Sequence, residues 1–230
     1  MQPYIFPYIG YFQLINAVDK FVFYDDVKFI KKGFINRNYV LVNNSKKMFT
    51  VPCNKISQNK NISEIFVQPE PKRINKILSM IEHSYKKAPY YPKIFPIIES
   101  VFLKIGQSIT ISRLAILSIK EVCDYLKINC CFEVSSEFYP ETKNKGKIER
   151  IIKIASLNHA ITYINMIGGK DIYDKEYFFS EGIKLNFLKT NKIIYKQFED
   201  NFHPLLSIID VLMFNSKEEV KKMVNNYQII

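Results

Sequence analysis

Asp25 and Asp26 stand side by side directly after the β-type run Phe21–Tyr24. Two carboxylates at the end of a strand can take up a proton or hold a positive charge. Ser135 and Ser136 follow a second strand-like run, Cys130–Val134, and Asn165, Gly168 and Gly169 follow a third, Ile161–Ile164. In a parallel sheet the carboxyl ends of strands share an edge, so three such loops can converge on one crevice. The glycines would let backbone approach a phosphate closely, although a Gly-Gly pair is equally a plain turn. A polar cluster, Lys31, Lys32, Asn36, Arg37 and Asn38, surrounds Gly33 and Phe34. Arg37 is one of only four arginines. Its fork can grip a phosphate or carboxylate, or it can pair with Asp25 or Asp26 and merely hold the loop. His203 precedes Pro204, and histidine is the side chain most often used as a general base. The catalytic candidates are therefore Asp25, Asp26 and His203. The substrate-binding candidates are Gln2, Tyr4, Tyr8, Lys31, Asn36, Arg37, Asn38, Ser135, Ser136, Asn165, Gly168 and Gly169.

Several chemistries lack their motifs. There is no G-x-S-x-G, Walker or H-E-x-x-H pattern. The four cysteines (Cys53, Cys123, Cys130, Cys131) form no C-x-x-C, and none stands beside an activating base. The three histidines are far apart in sequence, so no metal site, structural zinc or structural disulfide is expected. Attack of a sugar hydroxyl or amine on an activated acyl group needs less: an acid or base and a few N–H donors for the oxyanion. Asp25, Asp26, Ser135, Ser136 and Asn165 can supply these.

The elements that must position these residues read as follows. An amphipathic run (Ile9, Phe12, Leu14, Ile15, Val18) predicts an early helix behind a loop rich in proline and tyrosine. Tyr39–Val42 and Met48–Val51 predict two strands around the turn Asn43–Lys46, and Ile62–Val67 a further strand. From Arg73 to Lys127 the apolar period becomes helical, with Gly106 as an internal joint. The polar segment Tyr139–Gly146 reads as a mobile loop, followed by a helix at Ile148–Ala155. Asp174 is placed to cap a helix that Gly182 ends, Ile183, Leu185 and Phe187 alternate as in a half-buried strand, and Ser216 with Glu219 forms a capping box. This order predicts an α/β fold, Rossmann-like, with a largely parallel sheet and a helical insertion. The chain is expected to be a single domain, 1–230, with 1–70 and 128–230 forming the α/β part and 71–127 the helical block.

The segments MQPYIFPYIGYFQLI, the DDV that follows a strand, and FINRN together resemble the WbqC-like protein family. The resemblance continues through HSYKKAPYY, the Ser135–Ser136 pair, YINMIGGKDIYDKEYF and HPLLSIIDVLMFN, and so covers nearly the whole chain. It implies a transferase that decorates a nucleotide-linked sugar with an acyl or aminoacyl group, such as glycine, in O-antigen or other surface polysaccharide biosynthesis. No cofactor is certain from it; an activated acyl donor, a coenzyme A thioester or an aminoacyl-tRNA, is implied. Two departures stand out. Family members carry a few apolar residues before the Gln-Pro, which implies a first strand upstream of Met1, and Lys28 stands where glutamine is usual.

Composition fits this reading without requiring it. Apolar residues make up 47% and charged residues 24%, as in ordinary globular proteins, and no apolar run approaches bilayer length. A cytoplasmic protein with no membrane span is the default expectation. The net charge of +11 is uneven: basic against acidic residues number 9 to 4 in 1–69, 14 to 9 in 70–150 and 10 to 9 in 151–230. The basic first two-thirds suits a pyrophosphate, coenzyme A or a charged tRNA, although an AT-rich coding sequence also enriches lysine. Two other readings stand beside the transferase: a tRNA- or nucleic-acid-binding module without catalysis, and a non-catalytic partner of a sugar-modifying assembly. Oligomeric state is not legible.

Overall fold

The computed structural model describes residues 1–230, the side chain of Gln107 excepted. After the opening loop come helix α1 (Ile9–Asn16) and strand β1 (Lys20–Phe23), then the hairpin β2 (Arg37–Val42) and β3 (Ser45–Thr50). Asn43 and Asn44 turn that hairpin with φ of 46° and 53°, the left-handed pair that a tight two-residue turn requires and asparagine tolerates. Helices α2 (Pro71–Tyr85), α3 (Tyr91–Leu103) and α4 (Ile111–Leu126) follow. The remainder runs β4 (Cys131–Val134), α5 (Ser135–Phe138), α6 (Lys147–Leu157), β5 (Thr162–Met166), α7 (Lys175–Ser180), β6 (Lys184–Thr190), α8 (Ile208–Phe214), α9 (Lys217–Val224) and β7 (Tyr227–Ile229).

The chain is a mixed α/β protein with small sheets, and the sheet pattern differs from the expected single, largely parallel one. β1 pairs in parallel with β4, β2 with β3 antiparallel, and β5–β6–β7 form a third sheet in which only β5–β6 is parallel. Strands of three to seven residues carry few ladder bonds each, so side-chain packing between the sheets decides how they divide. Phe21 and Phe23 lie against Phe132, with ring centroids 6.4 and 5.4 Å apart. Along the other edge of β1, the Met1 amino group donates to Val22 O and the Tyr24 amide to Met1 O, which sets Met1 parallel to Phe23. Gln2, Asp25 and Ser135 therefore leave the same edge of one parallel unit.

Three further readings are corrected. Ile62–Glu64 is a 3-10 turn rather than a strand; only Phe66 and Val67 make isolated bridges, to Thr110 and Cys53. Tyr139–Gly146 is not an open loop, because Tyr139 and Thr142 are buried and the Thr142 hydroxyl donates to Tyr139 O. Helix α1 is buried from Ile9 to Ile15, Gln13 included, rather than amphipathic. Gln13 survives there because its side-chain amide donates to Met223 O and Asn226 O, capping the end of α9.

One large core joins α1, the hairpin and helices α2–α4, α8 and α9; a smaller one under β5 and β6 gathers Ile152, Phe178, Leu185 and Phe187. Among the described residues no helix is long and apolar enough to cross a membrane.

Candidate active site

The parallel pairing of β1 with β4 brings Phe23 opposite Val134, so the segments that follow the two strands, Tyr24–Asp26 and Ser135–Ser136, meet. Asp25 and Asp26 are 3% and 6% exposed, and Ser135 is fully buried between them. Burying two carboxylates is costly unless donors surround them, and here they do. Asp25 Oδ2 accepts from the hydroxyls of Ser112 (2.9 Å) and Ser136 (3.2 Å), and Oδ1 accepts the Ser136 amide (3.2 Å). Ser135 Oγ accepts the Asp25 amide at 3.2 Å and gives its own proton to Asp26 Oδ1 at 2.5 Å. Asp26 Oδ2 takes a charged bond of 2.6 Å from Arg150, whose Nε donates to Thr142 Oγ1 at 2.9 Å.

The guanidinium of Arg150 also lies over the Tyr24 ring, 4.8 Å from its centroid. Burial raises the Tyr24 pKa and Arg150 draws it back down; Tyr173 lies near enough to add a smaller upward push. Burial raises the Tyr173 pKa and Asn165 draws it back down, and Tyr163 is pushed up by burial and by both neighbouring phenols. Arg150, Tyr24 and Tyr173 are thus electrostatic neighbours between the buried acids and the loop after β5, without a continuous chain of hydrogen bonds among the described residues. That loop reaches the site across two sheets rather than along one.

Gly169 is tight where Gly168 is open. A Cβ at Gly169 would sit 3.0 Å from Asn165 Nδ2 and 3.0 Å from the Tyr173 ring, whereas one at Gly168 would meet nothing within 4 Å. Neither has the left-handed φ that Gly182 shows at +76°.

The other candidates occupy different places. Asn36 and Asn38 are buried and serve the backbone: Asn36 Nδ2 donates to Val51 O, and Asn38 Nδ2 to Ile5 O and Phe6 O. The two Asn38 bonds hold the opening loop where Phe6 takes a φ of 40°. Gln2, Tyr4 and Tyr8 are half-buried; the Tyr4 hydroxyl donates to Gln2 Oε1 at 3.4 Å, and Tyr4 raises the Tyr8 pKa after the larger effect of burial. Lys31 is exposed. Arg37 pairs with neither Asp25 nor Asp26: Arg150 has taken Asp26, and Arg37 Nε donates to Gly33 O at 2.9 Å. The other three arginines each form an ion pair.

His203 sits in a separate cluster. Its backbone exchanges bonds with the Gln197 side chain, which also donates to Asp210 Oδ2 at 2.8 Å. Asp210 is fully buried and takes the hydroxyls of Tyr85 (2.7 Å) and Tyr195 (2.5 Å) as well. No hydrogen bond joins this cluster to Asp25 or Asp26 among the described residues. Ser112, Thr142, Arg150, Tyr24 and Tyr173 were not singled out from the sequence. Arg150 lies away from the apolar stripe of Ile148, Ile151, Ile152 and Ala155 on a helical projection, so its burial was decided by tertiary packing.

The arrangement can do proton chemistry at one place. The Asp26 side chain is wholly shielded, and Asp25 reaches outward only through Ser136, which is half-buried. Ser136 can hand its proton to Asp25 while accepting one from outside. Cys53 and Cys130 contribute nothing comparable, since burial raises them to about 12 and about 11. All four cysteines are free.

The profile of the WbqC-like protein family matches residues 2–222. Uncharacterized protein Rv1507c of Mycobacterium tuberculosis (strain ATCC 25618 / H37Rv) is 26% identical over 211 residues, spanning 91% of this chain and 89% of its own length. No solved structure gives a significant match.

Proposed function

The chain belongs to the WbqC-like protein family, and from that premise we propose that it transfers an acyl or aminoacyl group, such as glycine, onto a nucleotide-linked sugar for a surface polysaccharide such as O-antigen. The observation that carries the reading is the Ser136–Asp25 pair at the carboxyl edge of β1 and β4, the edge where open α/β sheets hold ligands. We read the unit of Met1, β1 and β4 as the core of a Rossmann-like arrangement.

In the proposed step a sugar hydroxyl or amine attacks the carbonyl carbon of an activated acyl group, a coenzyme A thioester or an aminoacyl-tRNA ester. Its proton passes to Ser136 Oγ as Ser136 gives its own to Asp25 Oδ2. The carbonyl oxygen carries the negative charge until the C–S or C–O bond breaks, and the leaving thiolate or alkoxide recovers the proton. Arg150 and Asp26 keep the segments after β1 and β4 in register, and in this reading Arg37, which has no carboxylate partner among the described residues, holds the substrate's phosphates. The nucleotide-linked sugar places the reaction in the cytoplasm.

The test supplies isotopically labelled glycine, as glycyl-coenzyme A and as glycyl-tRNA, with a panel of nucleotide-linked amino and hydroxy sugars. Mass spectrometry should find the label on a sugar. Ser136→Ala and Asp25→Asn should each lower the rate by roughly 10²–10⁴-fold. Arg37→Lys should raise KM for the nucleotide sugar with folding intact. Absence of labelled sugar across the panel, or full activity in Ser136→Ala, would refute the reading.

A further inference from the structure

Residues 27–63 carry seven lysines and one arginine and not a single acid. None of these eight cations is in an ion pair: the four ion pairs among the described residues use Lys20, Arg73, Arg113 and Arg150. Two loops of this stretch are stitched together, the Phe29 amide donating to Lys60 O (2.9 Å) and the Ile62 amide to Val27 O (3.0 Å). Lys28 Nζ then donates to Asn59 O at 2.7 Å, which brings a third ammonium to the loop that bears Lys55 and Lys60.

A cavity of about 480 Å³ opens on this loop, lined in part by Asn54, Lys55, Lys60, Glu64 and Phe66. That volume suits a small ligand, since such sites run from roughly 300 to 1,000 Å³. Phe66 is 47% exposed although its neighbours Ile65 and Val67 are 0% and 2% exposed, so the alternation of an extended segment turns one large ring outward at the cavity wall. The segment that lines the cavity is also tied to the backbone of the acid loop: the amide of Ser63, next to Glu64, donates to Asp25 O at 3.0 Å.

We propose that this cavity binds a nucleotide bearing a pyrophosphate, with the phosphates against Lys55 and Lys60 and the base on Phe66. Lysine ammonium groups bind phosphate as point charges, and every base has a face that stacks on an aromatic ring. Glu64 is the one opposing charge at the wall, and its Oε2 is already held by the Asn61 amide at 2.5 Å. Only the ligand's part in acyl transfer rests on the function proposed above; its binding does not.

Calorimetry with ADP, UDP, coenzyme A and inorganic pyrophosphate tests the site on the intact chain, with circular dichroism to verify that each variant is folded. At least one of the three nucleotides should bind. Lys55→Ala and Lys60→Ala should each raise its Kd about tenfold, and Glu64→Gln should lower it severalfold. Phe66→Leu should raise the nucleotide Kd by roughly 5- to 150-fold and leave pyrophosphate binding unchanged. No binding by any nucleotide, or binding unmoved in Lys55→Ala and Lys60→Ala, overturns the proposal. Equal loss of nucleotide and pyrophosphate in folded Phe66→Leu removes the stacking role and with it the site as described. Retention of a tRNA mixture without nucleotide binding overturns it in favour of an RNA surface. Nucleotide binding with the expected variant pattern but no acyl transfer sinks the transferase reading and leaves this site standing.

Discussion

Arg150→Met is the substitution with the largest expected consequence. The Asp26 side chain is completely shielded and Arg150 is 4% exposed, and their charges meet at 2.6 Å. Methionine keeps much of the arginine stem's volume and removes the charge. Asp26 would then hold a buried carboxylate with Ser135 as its one remaining donor, and Thr142 Oγ1 would lose the Arg150 Nε bond. Breaking a buried pair from one side costs about 3–5 kcal/mol. Set against a total stability of roughly 5–15 kcal/mol, that is a large fraction. In melting temperature it corresponds to roughly 6–20 °C for a chain of this length. Removing both charges, in Arg150→Met with Asp26→Asn, should cost distinctly less than the sum of the single changes, because no unpaired charge stays buried. Urea unfolding followed by circular dichroism measures all four proteins. A loss under about 1 kcal/mol in Arg150→Met, or additive single effects, would show that water reaches Asp26 and that the cluster is open.

Three further outcomes are expected. Burial raises the Asp210 pKa even though Tyr195, Tyr85, Gln197 and nearby His203 all pull it down. A raised folded value means that its contribution to stability is full below the unfolded carboxylate pKa and fades as pH rises through the folded one. Urea midpoints across acid pH should therefore lose that decline in Asp210→Asn, at the cost of lower stability throughout, and an unchanged pH slope would refute the assignment. With a thiol reagent at pH 8, exposed Cys131 should react quickly, while Cys53 and Cys130, raised to about 12 and about 11 by burial, and buried Cys123 should wait for unfolding. Gly169→Ala should cost about 1 kcal/mol by crowding Asn165 and Tyr173, and Gly168→Ala nothing measurable in the same urea assay.

Much of the framework was legible because it is written in local patterns. The two asparagines that turn the hairpin, the Asp174 and Ser216 caps and the alternation along β6 each depend on a few neighbouring residues, and each occurs as read. The helical period from Ile74 onward likewise marks α2, because only one face of a surface helix is apolar. Asp25, Asp26, Ser135 and Ser136 were legible as residues that follow strands, although Ser135 and Ser136 open the short helix α5 rather than a loop, and the parallel pairing of β1 with β4 brings them together. Ile62–Val67 misled because its apolar residues satisfy buried positions of a turn as well as of a strand.

What the sequence determined by itself, then, is the local geometry and the kinds of groups delivered to each loop, since propensity, capping and hydrophobic period act within a few residues. Which partner each charged group finds was decided by the tertiary structure alone. Arg37 and Arg150 are equally plausible mates for an acid in the linear chain. Arg150, 124 residues from Asp26, wins because α6 packs it into the same buried space. Once that pair forms, a second guanidinium at Asp26 would have to be desolvated without a free carboxylate oxygen to repay it, so Arg37 stays with the Gly33 carbonyl and keeps its charge for something else.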